Sequence, residues 1–147
     1  MDASEIVRID ENLTGSKYRE ILEQNLNENV EKMEIEGEMG KEAIKIIQDN
    51  DPKHNCRIAK AFYNFKPYEK LDFPPLSPDF NIIENVLAEL KKGIDNRKPK
   101  NVEELWNFIQ IEWKNISENK ELLLSLVHSM PNRLQAVIEA NGYATKY

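Results

Sequence analysis

Apolar positions along this chain change their spacing several times, and each change predicts an element. Ile6, Val7 and Ile9 crowd together near the start and predict a short strand. Thr14-Gly15-Ser16 then offers hydroxyl caps to a helix whose inner face takes Tyr18, Ile21, Leu22 and Leu26, three and four residues apart. Residues 31–42 are rich in glutamate and include Gly37 and Gly40, which predicts an exposed connection. Ala43-Ile44-Lys45-Ile46-Ile47 is a short apolar run with β-branched side chains, predicting a buried strand stopped by Asp49-Asn50-Asp51-Pro52. A helix over about 53–64 follows, with Ile58, Ala59, Phe62 and Tyr63 available for its inner face. Tyr68 to Phe73 reads as a second strand.

Pro67, Pro74, Pro75 and Pro78 make 67–78 a stiff loop. Beyond it, Asp79 or Asn81 can cap a helix running to about 94, with Ile83, Val86, Leu87, Leu90 and Ile94 on one stripe and Glu84 in its first turns. Asn101 and Glu104 have capping-box spacing and open a helix whose Val102, Leu105, Trp106, Ile109 and Trp113 recur at helical intervals. Two shorter helices use Leu122, Leu123, Leu126 and Val127, then Leu134, Val137 and Ile138, ending near Gly142. The order strand-helix-strand-helix-strand-helix, then helices, predicts an α/β layer with a helical tail.

Composition narrows the class. A chain of 147 residues, 40% hydrophobic and 31% charged, suits one globular unit. No run approaches the ~18 apolar residues that span a bilayer, so no membrane partner is expected. Cys56 is a lone cysteine without CxxC or CxxH pairs, which excludes a disulfide scaffold or a zinc finger and fits a reducing compartment. The charged opening residues leave no apolar signal core. Residues 1–51 hold 14 acids against 6 bases, whereas 52–147 hold 12 against 14. That acidic front argues against strong autonomous DNA binding, which depends on neutralising phosphates. The densest basic stretch runs from Lys91-Lys92 through Arg97-Lys98 to Lys100; it reads either as a phosphate contact or as a solvated helix end.

Two carboxylates stand where chemistry collects. Asp49 follows an apolar strand in IIQDND, at the end of a strand where α/β sheets form their binding crevice. Glu84 opens a helix in PDFNIIEN. Oxygen ligands of this kind suit Mg²⁺ or Mn²⁺. The same residues also have ordinary uses, Asp49 as a turn former and Glu84 as a first-turn acid favoured by the helix dipole.

Three segments bear on that choice: QDNDPKH at 48–54, LDFPPLSPDFNIIEN at 71–85, and SMPNRLQAVIEANGYATKY at 129–147. Together they resemble the mariner superfamily of cut-and-paste transposases, particularly its nematode Tc branch. The resemblance implies a ribonuclease-H-like catalytic domain with an Asp-Asp-Glu triad, whose second Asp falls on Asp49 and whose Glu falls on Glu84. The thirty-four residues between them are the Tc-branch spacing. It also implies that both acids hold Mg²⁺ or Mn²⁺, in a two-metal site for in-line phosphoryl transfer that cuts and rejoins DNA. Transposon-end DNA is the implied partner and the nucleus the implied location. Counting from Asp51 leaves thirty-two residues, so Asp51 is read as a turn residue supporting a ligand. His54 is read as a DNA contact or as orienting a ligand, with a purely structural place at a helix start as the other reading. Lys91 and Lys92 are candidate DNA contacts. Phe73 and Leu87 stand where the family has tryptophan, and Ile82 where it commonly has proline; apolar bulk is preserved.

The family's first triad Asp lies upstream of the segment that Ile6 to Asp10 resembles, and neither Asp2 nor Asp10 has its context. The helix-turn-helix modules that read transposon ends also lack a counterpart. The expectation is therefore one partial catalytic domain: an incomplete ribonuclease-H-like α/β fold over 1–95, its mixed sheet lacking the first strands, and a helical tail over 96–147. A strand at 43–47 without its central neighbour would expose backbone groups and favour a homo-oligomer or pairing with a full-length transposase. The alternative is a domesticated, non-catalytic interaction module in which helices over 101–141 contact a partner and the acid pair is vestigial.

Overall fold

Thr14 starts the first helix. In the computed structural model, which describes residues 4–37, 40–72, 74, 77–143 and 145–147, its backbone is extended and its Oγ1 accepts the Lys17 amide at 3.2 Å. Helix α1 (Gly15–Ile21) runs without interruption into a π-helical turn (Leu22–Leu26) and α2 (Asn27–Gly37). In the widened turn, side-chain amides take up loosened carbonyls: Asn25 Nδ2 donates to Ile21 O and Asn27 Nδ2 to Glu23 O, both at 2.9 Å. The exposed connection expected over 31–42 is thus corrected, since its first part is helix. Glu, Lys and Met are good helix formers, and Val30 supplies the buried anchor. Glu38 and Met39, from the same connection, lie outside the described residues.

Ile6, Val7 and Ile9 do not form a strand. The segment pairs with neither strand of the described sheet, and without a ladder an apolar cluster has nothing to satisfy its backbone groups as a strand. Strand β1 (Lys45–Ile46) pairs in parallel with β2 (Glu69–Lys70), Lys45 opposite Glu69 and Ile46 opposite Lys70. Glu69 N donates to Ile44 O at 3.3 Å and Leu71 N to Ile46 O at 2.9 Å, and the Lys45 and Glu69 side chains pair across the ladder. Both strands are shorter than expected. Ile44 is buried while Ile47 is half-exposed, and Phe73, the expected end of the second strand, lies outside the described residues, as does Pro75 of the stiff loop.

Helix α3 (Arg57–Tyr63) begins later than the expected residue 53, because Asp51 O accepts the amides of His54 at 2.9 Å and Asn55 at 3.1 Å and holds 52–55 in turns. Cys56 caps it, its Sγ accepting from Ala59 N at 3.5 Å. Ala59 and Phe62 point inward; Ile58 does not. Helix α1 packs on α3, closely enough that a Cβ on Gly15 would sit 2.4 Å from Cys56 Sγ. The core here is Val30, Ile44 and Tyr68, flanked by Leu26, Ile46 and Tyr63. These elements make one compact unit, Val7–Pro75; the other joins Met1–Ile6 to Leu76–Tyr147.

The second unit opens with a 3₁₀ turn (Pro78–Phe80) and α4 (Ile83–Arg97), closed by Lys98 in the left-handed region at φ 50°. Helix α5 (Val102–Glu118) starts on the expected box, Asn101 Oδ1 accepting from Glu104 N at 2.8 Å. The returning arm differs: Glu104 Oε2 takes the Lys100 amide, one residue before the cap. Helices α4 and α5 pack together, with Gly93 giving room to the Glu112 side chain that Arg97 Nε engages at 2.7 Å. Asn119 caps α6 (Lys120–His128), and α7 (Met130–Glu139) ends before Gly142 at φ 82°. Helix α7 departs from its expected face: Arg133 turns inward, and Leu134 and Ile138 stay exposed. Among the described residues no helix is long and apolar enough to cross a membrane.

Candidate functional site

The loop leaving β1 is built on Gln48. Tyr18 of α1 and Tyr63 of α3 both donate their hydroxyls to Gln48 Oε1 at 2.8 Å, and Gln48 Nε2 donates to His54 O at 3.2 Å. One carboxamide thus ties two helices to both ends of the 48–54 loop. Burial pushes the Tyr63 phenol well above its ordinary value, with Tyr18 adding to the effect. Burial also raises Tyr18, with Asp49 and Asp51 adding and the Tyr63 hydrogen bond opposing. Both remain protonated, as their donor roles require. The importance of Tyr18 and Tyr63 was not visible in the sequence, where they read as apolar face residues; the Gln48 of QDND was the only signal.

Asp49 projects from this brace with 60% of its side chain exposed. Its Oδ1 accepts the Asp51 amide at 3.2 Å and meets His54 Nδ1 at 2.5 Å. Opposite a carboxylate, Nδ1 is the protonated ring nitrogen. The His54 ring is fixed in turn by stacking on Tyr18, centroids 4.2 Å apart. No described residue engages Asp49 Oδ2. Asp51 is occupied differently: its Oδ1 accepts the Lys53 amide at 2.7 Å, and Lys53 Nζ lies 3.5 Å from Oδ2. The Lys53 backbone hydrogen bond, first among several causes, holds the Asp51 carboxyl below its usual range. The structure therefore brings Asp49, Asp51 and His54 together and, among the described residues, leaves Asp49 as the carboxylate with an open oxygen. A cleft of about 630 Å³ elsewhere in this unit, lined by residues including Lys60, Tyr68, Lys70 and Asp72, contains none of the expected site residues.

Glu84 belongs to the other unit, exposed in the first turn of α4, with its amide bonded to Asn81 O at 3.1 Å. A carboxylate is favoured there by the helix dipole. Lys91 follows it by two helical turns and so shares its flank, and Lys92 is exposed beside it, paired with Glu89 at 2.6 Å. Helix α4 starts on Ile82 without a side-chain cap; Asn81 Oδ1 offers only a 3.4 Å contact to Ile83 N. Beside this start Arg133, 3% exposed, donates to Asn85 Oδ1 and Asp79 O, and it also donates to Ser129 Oγ at the start of α7. Sequence reasoning missed Arg133, and its only signal was a charged residue at a core-facing position of α7. Among the described residues no three His, Cys, Asp or Glu side chains gather into a metal-holding group.

Comparison with known proteins places these residues in context. Residues 2–121 match the DDE superfamily endonuclease family. The transposable element Tc1 transposase of Caenorhabditis elegans is 40% identical over 100 residues, covering 68% of this chain and 36% of that protein. The Tcb2 transposase of Caenorhabditis briggsae is 31% identical over 140 residues, covering 95% of this chain and 48% of that protein. The chain thus spans 36% to 48% of the length of the curated relatives it matches. In fold it is similar to the crystal structure of the catalytic domain of Mos1 mariner transposase, with TM-score 0.70 and 16% identity over 97% of this chain and 69% of that one. It is also similar to the Mos1 transposase catalytic domain with Raltegravir and Mn, with TM-score 0.55 and 19% identity over 97% and 70%. The ribonuclease-H-like fold expected from the sequence holds, as a mostly helical chain with a small parallel sheet.

Proposed function

The chain belongs to the DDE superfamily endonucleases, and on that footing we propose that Asp49 and Glu84 are two metal-holding acids of a transposase catalytic domain. The observation that carries this reading is the asymmetry between the two loop aspartates. Asp51 is engaged by Lys53 at both oxygens, whereas among the described residues Asp49 keeps Oδ2 open while its Oδ1 is fixed by His54 and the Asp51 amide. A hard, exposed carboxylate oxygen on a braced loop fits Mg²⁺ or Mn²⁺. The structural neighbours solved with Mn and with Mg agree with that choice.

A divalent ion there supplies Lewis acidity toward a phosphodiester and eases deprotonation of an attacking hydroxyl. The chain's own residues do the positioning. His54 orients Asp49 through Oδ1, Gln48 keeps His54 in register, and Asp51 holds the turn. Glu84 presents the third acid of the triad at the start of α4. The substrate is DNA at transposon ends, cut and rejoined, with Lys91 and Lys92 as phosphate contacts beside Glu84. A full-length transposase in a shared oligomer is the protein partner, and the reaction takes place in the nucleus. Residues 1–95 form the ribonuclease-H-like part and 96–147 its helical tail.

The test is thermal unfolding of the chain during Mg²⁺ and Mn²⁺ titration, beside an Asp49→Ala/Glu84→Ala double variant. Metal that binds only the folded state raises stability by about 2.7 kcal/mol at a hundredfold excess over Kd. We expect a metal-dependent rise that the double variant loses. A cooperative transition indifferent to both ions overturns the reading and leaves the non-catalytic interaction module.

A further inference from the structure

We infer that Arg133 is a positioning residue for Glu84, an inference that rests on the reading of Glu84 as a metal-holding acid. Burying a guanidinium costs several kcal/mol unless its hydrogen bonds are met, and an apolar side chain of similar volume generally fills such a place at least as well. Arg133 is nonetheless 3% exposed, and none of its described partners is a carboxylate. Its Nε donates to Ser129 Oγ at 2.8 Å, its Nη1 to Asp79 O at 3.1 Å and its Nη2 to Asn85 Oδ1 at 2.9 Å. The Tyr147 ring covers the guanidinium, 4.8 Å from centroid to Cζ.

These acceptors bracket Glu84. Asp79 lies in the 3₁₀ turn before α4, Asn85 is the residue after Glu84, and Ser129 sits at the start of α7. The carboxyl-terminal segment adds a second hold, Thr145 N donating to Asp79 Oδ2 at 3.0 Å. Helix α4 has no hydroxyl cap of its own, and an uncapped first turn frays. A planar fork bonded on both sides of Glu84 fixes the azimuth of that first turn, and with it the direction in which the carboxylate leaves the helix. A lysine at 133 keeps the charge and loses the fork, so the two contributions separate.

The test is amide hydrogen exchange on the 147-residue chain, read by NMR for wild type, Arg133→Lys and Asn85→Ala. The Glu84, Asn85 and Val86 amides are suitable reporters, because each is bonded to Asn81 O or Ile82 O. For Arg133→Lys we expect these three to exchange at least tenfold faster relative to the Leu90–Ile94 amides, and the Mn²⁺ concentration that half-broadens the Glu84 amide to rise severalfold. Asn85→Ala, which removes one bond and leaves the guanidinium in place, should show the same local pattern at about threefold and decides the matter if Arg133→Lys does not fold. Acceleration spread evenly over α4 and α5, or none at all, overturns the inference. Broadening that survives Glu84→Gln overturns the metal reading of Glu84 instead, while the exchange pattern still judges whether Arg133 fixes the turn.

Discussion

Tyr18 and Tyr63 share one acceptor, each hydroxyl donating to Gln48 Oε1 at 2.8 Å. The consequence is that the loop carrying Asp49 is held from two helices through a single side chain. Removing that side chain strands two half-buried donors at once, while removing either hydroxyl strands none. Gln48→Leu should therefore destabilise the chain by about 2–4 kcal/mol and Tyr18→Phe by only about 0.5–1.5 kcal/mol. Urea unfolding of both variants checks the ratio, and equal losses would mean that the brace is not the carboxamide.

Alkaline titration reads the same tyrosines. Burial raises Tyr18 and Tyr63, and raises Tyr68 to about 12, with Tyr63 adding to the last. Above about pH 10 the unfolded chain has lost these phenolic protons while the folded chain keeps them, so stability falls as pH rises. It is fully present below pH 10 and is lost as pH climbs through 10–12. Tyr63→Phe should shallow the alkaline limb of a stability–pH curve; an unchanged slope would show that Tyr63 titrates normally.

The acid limb belongs in part to Asp51. Its folded pKa is depressed by the Lys53 amide, so its contribution is present above the ordinary aspartate value near 3.9 and fades as pH falls through the folded pKa. Asp51→Asn keeps an acceptor for Lys53 N and removes the titration. The variant should lose less stability than wild type as pH falls below about 4, measured by thermal midpoint.

The approach of α1 to α3 predicts a coupled pair. A Cβ on Gly15 would stand 2.4 Å from Cys56 Sγ but 3.5 Å from its Cβ, an ordinary contact. Gly15→Ala should cost about 1–3 kcal/mol through overpacking. Adding Cys56→Ala removes the sulfur, so the double variant should recover part of that loss despite losing the Cys56 cap. Strict additivity in a double-mutant cycle would exclude the clash.

In the helical unit the spacing located the helices and the Asn101 cap but their inner faces only in part: Val86 is buried, whereas Ile83, Leu87 and Val102 of the expected stripes are exposed. The first unit was harder to read. Glutamates at 31 and 34 looked like loop, yet they are solvent-facing helix tied to Lys41 at 3.9 and 3.3 Å, and charge alone does not separate the two states. Ile6 to Ile9 looked like strand, but strands are made by partners, which a local pattern cannot supply. The candidate acids were legible through motif spacing, and the choice of Asp49 over Asp51 rested on a count. Arg133 left little trace in the sequence, since two of its three acceptors lie 48 and 54 residues away and one of these is a backbone carbonyl with no sequence signature.

The π-helical turn at Leu22–Leu26 carries a last consequence. Such a turn houses one residue more than an α-helical turn, and it does so inside a continuous helix, so the faces on either side stay matched to their own neighbours. Tyr18 before it reaches Gln48, and Asn27 after it accepts Lys66 Nζ at 2.9 Å and Tyr68 OH at 3.2 Å. A relative one residue shorter at this point would show a single gap in an alignment and no change in architecture. The other helices among the described residues, lacking this slack, would answer the same deletion by rotating every later side chain about 100° out of place.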